Sequence, residues 1–273
     1  MERIRRIETW ARLGYAARGL VYILLGWIAL SSGEALSTGE TVKAFNDLPG
    51  GTPLLALLAV GLFGYGLYKI YSAAIDLDGE GSDAKALVVR GARLIGGLGY
   101  WLLAFIAARQ LFGAREEADS GSASGSGGAQ DAASTVSDTA GGDILLLLAG
   151  LVVLGVAAAQ FAIAWKAKFM REMPGAPDLV KPAGQIGYAA RAIIVAIVGY
   201  FLVRAGLDGE RVRGFGDALA LVRTDHELLF KLIAGGLILF GIVSLVMARY
   251  RRIADDDVVA RLGDKMPGHE RSV

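Results

Sequence analysis

The sequence predicts an all-α, polytopic membrane protein with six transmembrane helices, arranged as three parallel hairpin repeats around a pseudo-threefold axis. Hydrophobic residues make up 54% of the 273 residues, and the mean hydropathy of +0.47 is high for a soluble protein of this size. Six stretches also contain the ~20 apolar residues that a helix needs to cross a bilayer core of ~30 Å. Finally, a five-residue motif occurs twice at matching positions in these stretches.

The predicted spans avoid the residues that a membrane helix excludes. None of the 27 acidic residues lies inside a span, apart from Asp143 at an edge, and all six prolines lie outside the span interiors. This segregation is typical of helices whose backbone hydrogen bonds must all close within the segment. The predicted spans are residues 10–32, 53–75, 90–112, 143–165, 186–206 and 228–248.

The loops divide the chain into three hairpins and a tail. The predicted units are hairpin repeat 1 (1–89), hairpin repeat 2 (90–180), hairpin repeat 3 (181–252) and a cytoplasmic tail (253–273). Residues 113–142, between the third and fourth spans, are rich in Gly and Ser and carry scattered acids. Because this composition cannot bury a core, we expect a disordered loop there.

Loop charge predicts the orientation of the chain. The two terminal regions and the loops on their side of the membrane carry 14 basic residues, against five in the loops on the other side. Cytoplasmic loops of membrane proteins are enriched in Lys and Arg. We therefore expect both termini in the cytoplasm and the chain in a bacterial inner membrane.

An internal repeat relates the odd-numbered spans. Residues 14–18 and 187–191 have the identical sequence Gly-Tyr-Ala-Ala-Arg. The third span matches more loosely, with Arg12, Gly19, Leu20 and Tyr22 aligned to Arg90, Gly97, Leu98 and Tyr100. The even-numbered spans align through one glycine each, namely Gly64, Gly155 and Gly241. Each hairpin enters and leaves on one face, so the repeats are predicted to be parallel, as in parallel-repeat transporters.

With these motifs the chain resembles the bacterial membrane family known as domain of unknown function 1206. The resemblance covers roughly residues 10–252 and implies a fold of three two-helix repeats, but it implies no activity. The middle hairpin departs from the pattern, because Arg93 stands where the other two hairpins have Tyr. Gly96 likewise stands where they have Arg18 and Arg191.

Two arginines inside the spans are the first candidates for a functional site. Arg18 and Arg191 occupy equivalent repeat positions, about eight residues or ~12 Å into their helices, and Arg93 lies one turn nearer the surface. Ionisable residues inside a membrane are costly and often functional. Around a threefold axis they would form a basic ring that holds an anionic lipid head group or lines an anion path. The alternatives are snorkelling to the lipid phosphates and hydrogen bonding to carbonyls of neighbouring helices.

Three further polar residues are ligand candidates. Lys69 lies among tyrosines in the second span, where it either makes hydrogen bonds and a cation–π contact or snorkels. Its predicted counterpart in the fourth span is Gln160, whereas Val246 breaks the series in the sixth. Tyr22 and Tyr100 lie deeper than the tyrosines at helix ends, and their hydroxyls need partners. We therefore expect these two tyrosines to face a polar interior.

The composition excludes several classes of site. With no Cys and only two His, the chain has no thiolate nucleophile, disulfide, Cys-ligated metal or His-rich metal site. The motifs of nucleotide-binding loops, serine hydrolases and zinc proteases are absent from the sequence. The formal charge of +1 provides no field that attracts nucleic acid. We therefore expect no enzymatic activity, metal, cofactor or nucleic-acid partner.

The sequence favours a non-enzymatic accessory or lipid-interacting component of the bacterial inner membrane, with anionic lipid head groups as partners. The alternative is a small anion or solute channel or transporter with an arginine-lined path. The direction of the two arginines distinguishes these functions. If Arg18 and Arg191 converge on a polar cavity with Tyr22 and Tyr100, transport is favoured. If they point to lipid, the accessory role is favoured.

Overall fold

The computed structural model describes residues 2–36, 38–44, 51–75, 83–112, 142–209 and 213–250. All regular structure within these ranges is helical. The helices in chain order are α1 (Glu2–Ser31), α2 (Thr38–Ala44), α3 (Gly51–Ile75), α4 (Ala84–Leu111), α5 (Gly142–Lys166), α6 (Val180–Asp208), α7 (Phe215–Asp225) and α8 (Glu227–Tyr250). A 3-10 turn, Lys168–Glu172, follows α5.

The six predicted spans lie in the six long helices, although α1, α4 and α6 begin about six to eight residues before the predicted starts. Each of these helices contains a segment long and apolar enough to cross a membrane: Ala11–Ser31, Gly51–Ala74, Val89–Leu111, Gly142–Lys166, Val180–Asp208 and Glu227–Tyr250. The chain is therefore a multi-pass membrane protein by the length and composition of its helices, and its regular structure is helical throughout the described residues. The sequence did not predict the short helices α2 and α7. Of the predicted loop at 113–142, Gly142 begins α5, and the rest lies outside the described residues, as does the tail at 253–273.

The long helices contact one another in a continuous series. α4 packs on α3, α3 on α1, α1 on α8, α8 on α6, and α6 on α5. α4 and α5 stand at the two ends of this series and make almost no contact with each other in the described part of the chain. These two helices are also the least buried of the six.

Glycines allow close approaches between α1 and α8 and between α3 and α4. A Cβ atom added at Gly241 of α8 would lie 2.6 Å from the carbonyl oxygen of Gly19 in α1. α3 and α4 cross in the same way, because a Cβ at Gly66 would lie 2.8 Å from the carbonyl oxygen of Gly97. Neither crossing leaves room for a side chain, as is typical of small-residue interfaces between membrane helices.

The helix pair α1 and α3 and the helix pair α6 and α8 have the same contact between their helices. A Cβ added at Gly61 would meet the side chain of Ala17, and a Cβ added at Gly236 would meet that of Ala190. Ala17 and Ala190 are counterparts in the Gly-Tyr-Ala-Ala-Arg motif. The two contacts therefore align Gly61 of α3 with Gly236 of α8.

This alignment corrects the register that the sequence predicted for the even-numbered helices. The predicted match of Gly64 with Gly241 is off by two residues. The two glycines that make equivalent contacts are 175 residues apart, whereas Gly64 and Gly241 are 177 residues apart. Lys69 and Ser244 each lie eight residues beyond those contacting glycines. The counterpart of Lys69 in α8 is therefore Ser244 and not Val246.

We expect Gly241→Ala to lower the free energy of unfolding by about 1–3 kcal/mol, because its Cβ collides with the backbone of α1. Gly155→Ala is the matched control, since a Cβ added at this glycine of α5 has nothing within 4 Å. This change should stabilise its helix by up to about 1 kcal/mol. Thermal denaturation of the detergent-solubilised protein compares the two, and equal midpoints would contradict the close crossing of α1 and α8.

Candidate functional site

Arg18 is buried where α1, α3 and α8 meet, with 7% of its surface exposed. Its Nε and Nη2 donate to Ser244 Oγ at 3.2 and 3.0 Å, and its Nη1 donates to the Tyr65 hydroxyl at 3.1 Å. The Ser244 hydroxyl itself donates to the carbonyl oxygen of Phe240 at 2.8 Å. The lone pairs of Ser244 Oγ therefore remain to accept from the guanidinium. These bonds hold the charge of Arg18 inside the helix bundle.

Arg191 occupies the equivalent position on α6 and bonds to α1 and α5. Its Nε donates to the Tyr22 hydroxyl at 3.0 Å, and its Nη1 donates to Gln160 Oε1 at 2.5 Å. Gln160 is itself buried. Among the described residues these are the side-chain hydrogen bonds of Arg191, and they leave the N–H groups of Nη2 for a ligand.

One aromatic ring lies between the two guanidinium groups. The Cζ atoms of Arg18 and Arg191 lie 4.8 and 5.3 Å from the centroid of the Phe240 ring. Arg18 Cζ is also 4.9 Å from the centroid of Tyr15. Such cation–π contacts attract a buried cation, but they supply no opposite charge.

The hydrogen-bond partners that the two arginines have among the described residues are neutral. They are hydroxyl groups, one amide oxygen and the thioether of Met247, whose Sδ lies 3.7 Å from Arg18 Nη2. Arginine stays protonated in proteins, so both charges persist at neutral pH. Burying an ion costs several kcal/mol, which an opposite charge offsets far better than neutral groups do. The arrangement therefore favours an anionic ligand.

A cavity of about 210 Å³ lies beside the two guanidinium groups. Its polar lining consists of Arg18, Arg191, Tyr22 and Tyr100, and the other walls are apolar side chains and glycines of α1, α3, α4 and α7. The volume far exceeds the roughly 15 Å³ that one water molecule requires. Because both α4 and α6 contribute lining residues, the series of helices curves around this cavity.

The tyrosines add hydrogen-bond donors to the cavity. The Tyr22 oxygen accepts from Arg191, so its O–H proton remains to donate elsewhere. The Tyr100 ring packs edge-on against Tyr65 at 4.6 Å, and Tyr100 lines the cavity, where its hydroxyl is a second donor. Two hydroxyl donors beside two guanidinium groups match the acceptor oxygens of a phosphate or similar oxyanion.

The structure brings four of the six predicted site residues together at the cavity, namely Arg18, Arg191, Tyr22 and Tyr100. Snorkelling of Arg18 to lipid is the wrong interpretation, because its guanidinium is buried and hydrogen-bonded within the bundle. Lys69 lies next to the cavity across Gly96, whereas Arg93 is not among the lining residues.

Sequence reasoning missed the residues that hold the arginines in place. Ser244 was overlooked because the predicted alignment, which is off by two residues, made Val246 the counterpart of Lys69. Gln160 was recognised as the counterpart of Lys69 but not as the partner of Arg191. The available signal was depth, because both residues are polar and lie in their spans at about the level of the arginines.

Comparison with known proteins identifies related sequences. A family model described as Domain of Unknown Function (DUF1206) matches residues 13–76, 93–167 and 186–251. The chain is also 31% identical over 261 residues to the uncharacterized protein YxxB of Bacillus subtilis (strain 168). This match covers 90% of the present chain and 92% of the Bacillus protein. No solved structure matches the chain. The three matched segments cover all or most of the helix pairs α1 and α3, α4 and α5, and α6 and α8, and the match confirms the predicted resemblance.

Proposed function

The chain belongs to the DUF1206 family, and we propose that it is a non-enzymatic membrane protein that binds an anionic lipid head group in its arginine-lined cavity. The anion site itself rests on one observation, which the transport alternative shares. Arg18 and Arg191 line the same cavity, and their hydrogen-bond partners are neutral. A phosphate group would supply the missing negative charge and accept from the guanidinium and tyrosine donors.

The separation of α4 from α5 supports a lipid as the source of the phosphate. α4 borders the cavity through Gly96, Gly99, Tyr100 and Leu103. Since α4 makes almost no contact with α5 in the described part, we propose that a head group enters laterally between them from the bilayer. A free anion would not need such a route, whereas a lipid whose acyl chains stay in the membrane would.

A small anion or solute path is the second candidate function. The convergence of both arginines with Tyr22 and Tyr100 on one cavity favours it, because selective paths are lined by converging polar and charged groups. This function requires that anions cross the membrane, whereas lipid binding does not. Flux measurements therefore separate the two candidates.

We also propose that the six long helices form three hairpins around a pseudo-threefold axis. The support is that the first helix of each hairpin packs extensively on the second helix of another: α4 on α3, α6 on α5, and α1 on α8. In a threefold ring of hairpins, the first helix of each hairpin would pack in this way on the second helix of its neighbour. In this arrangement the weak contact between α4 and α5, the two helices of the second hairpin, departs from the symmetry in the described part of the chain.

We further propose that both termini lie in the cytoplasm of a bacterium and that the arginines lie in the cytoplasmic half of its inner membrane. The excess of basic residues on the terminal side supports this orientation. Because the chain contains no Cys, a single cysteine added to the tail reports its location. Labelling of that cysteine by an impermeant reagent in spheroplasts would contradict the orientation.

Native mass spectrometry tests the proposed ligand. The wild-type protein is equilibrated with equal amounts of phosphatidylglycerol and phosphatidylcholine, and we expect preferential retention of one phosphatidylglycerol. A parallel titration with inorganic phosphate, followed by thermal denaturation, asks whether a free anion suffices. Stabilisation by phosphate without lipid preference would make a free anion the ligand. Flux of phosphate or chloride through liposomes that contain the protein would favour the anion or solute path. The absence of lipid retention, of stabilisation by phosphate and of flux would together contradict an anion site.

A further inference from the structure

The second hairpin lacks the arginine of the other two, and we propose that Lys69 supplies its charge from the opposite helix. The cavity then has three cations at its side, Arg18 and Arg191 in its lining and Lys69 behind Gly96. This inference rests on the proposed anion site and specifies which residues complete it.

A pair of facing positions recurs at the three extensive interfaces between hairpins. The residues in these positions are Arg18 with Ser244, Arg191 with Gln160, and Gly96 with Lys69. In the first two pairs the arginine donates to a neutral residue. In the third pair the arginine position holds glycine, and the cation stands in the partner position. A Cβ added at Gly96 would lie 3.8 Å from Lys69 Cδ, so these two positions face each other.

The crossing glycines show that Lys69 and Ser244 occupy the same place. Lys69 lies three residues after Gly66, and Ser244 lies three residues after Gly241, which are the glycines that approach α4 and α1 most closely. Arg18 directly precedes the glycine that faces Gly241. The interface of α3 and α4 thus carries its cation on α3, whereas the corresponding position of the α1 and α8 interface carries it on α1.

Two shared aromatic rings connect the three cations. Lys69 Nζ lies 5.7 Å from the centroid of the Tyr65 ring, and Arg18 Cζ lies 5.5 Å from the same centroid. Phe240 joins Arg18 to Arg191 in the same way. The three charges therefore form one cluster. No carboxylate is among the described hydrogen-bond partners of any of them.

A charge exchange across the interface tests the third cation. We expect Lys69→Ser to weaken phosphatidylglycerol binding by at least about tenfold, because it removes a charged donor. Adding Gly96→Arg to Lys69→Ser should restore most of the affinity, since it recreates the arginine–serine pair of α1 and α8. Lys69→Arg keeps the charge and should lose less affinity than Lys69→Ser. Lys231→Ser is the matched control. Lys231 forms an ion pair with Glu227 at the start of α8, whereas Ser244 lies near the other end of that helix.

The outcomes separate this inference from the proposed function. If Lys69→Ser binds like the wild type while replacement of both arginines abolishes binding, the anion site stands and the third cation is refuted. Failure of the double exchange to recover affinity also refutes it, provided that size-exclusion chromatography shows a monodisperse protein. If the wild type binds neither phosphatidylglycerol nor phosphate, the proposed function fails, and this inference fails with it.

Discussion

The variant Arg18→Leu/Arg191→Leu is expected to lose retention of phosphatidylglycerol, with at least about a hundredfold loss of affinity. Both guanidinium groups line the cavity, and each supplies charged donors that leucine lacks. Hydrogen bonds to charged groups contribute about 1.5–3 kcal/mol each. The loss of both arginines therefore costs more binding free energy than new hydrogen bonds from the tyrosine hydroxyls can replace. Native mass spectrometry beside the wild type measures the retained lipid directly.

The same variant should keep a thermal midpoint close to that of the ligand-free wild type. The buried charges cost several kcal/mol of desolvation each, and their hydrogen bonds to Ser244, Tyr65, Tyr22 and Gln160 offset this cost. Replacement of buried ions by apolar side chains is often neutral or stabilising. A folded protein without ligand would therefore show that the arginines serve binding more than stability.

Arg109→Leu/Arg204→Leu is the matched control for this experiment. Arg109 lies in the last turn of α4 beside Phe105, and Arg204 forms an exposed ion pair with Asp208 at 2.7 Å. Neither lines the cavity. We expect wild-type retention of phosphatidylglycerol in this variant. Equal loss in both double variants would indicate general attraction of anionic lipid to basic residues and would contradict a specific site.

The six spans were predictable because a membrane imposes strong and local constraints. Twenty or so apolar residues, free of acids and prolines, identify each helix without knowledge of its neighbours. The ends were less predictable. Pro53, predicted to begin its span, lies inside the first turn of α3, which begins at Gly51, and Asp143 lies inside α5, which begins at Gly142. The short helices α2 and α7 carry no such signal, because they lie outside the segments that length and hydropathy identify.

Part of the candidate site was also accessible from the sequence. The identical pentads placed Arg18 and Arg191 at the same depth, and the looser repeat paired Tyr22 with Tyr100. These four residues meet at one cavity. Whether the arginines faced lipid or protein was not predictable, because the direction of a side chain depends on which helices become neighbours.

The partners of the arginines depended on contacts between helices that are distant in the chain. Ser244 meets Arg18 across α1 and α8, at the two ends of the sequence. The correct register of these helices is set by backbone crossings at glycine, and several glycines in α3 and α8 offered competing alignments. An error of two residues in that alignment was enough to hide both Ser244 and the equivalence of Lys69.

The variant Gln160→Glu is expected to change stability and binding in opposite directions. Gln160 Oε1 lies 2.5 Å from Arg191 Nη1, so a carboxylate of the same shape would stand beside the guanidinium. It would neutralise a buried charge through a charge-assisted hydrogen bond, and we expect the thermal midpoint to rise. The same carboxylate would repel a phosphate, and we expect affinity for phosphatidylglycerol to fall by at least about tenfold.

Gln110→Glu controls for the added negative charge, because Gln110 lies near the end of α4 and does not line the cavity. It should leave phosphatidylglycerol binding unchanged. A Gln160→Glu protein that is less stable and binds less would indicate a distorted fold, and one that binds like the wild type would exclude Arg191 from the ligand site. If Arg191 is a buried cation without an opposite charge, the Gln160→Glu protein must be more stable and must no longer bind the lipid. The introduced carboxylate would then neutralise Arg191 in place of the phosphate.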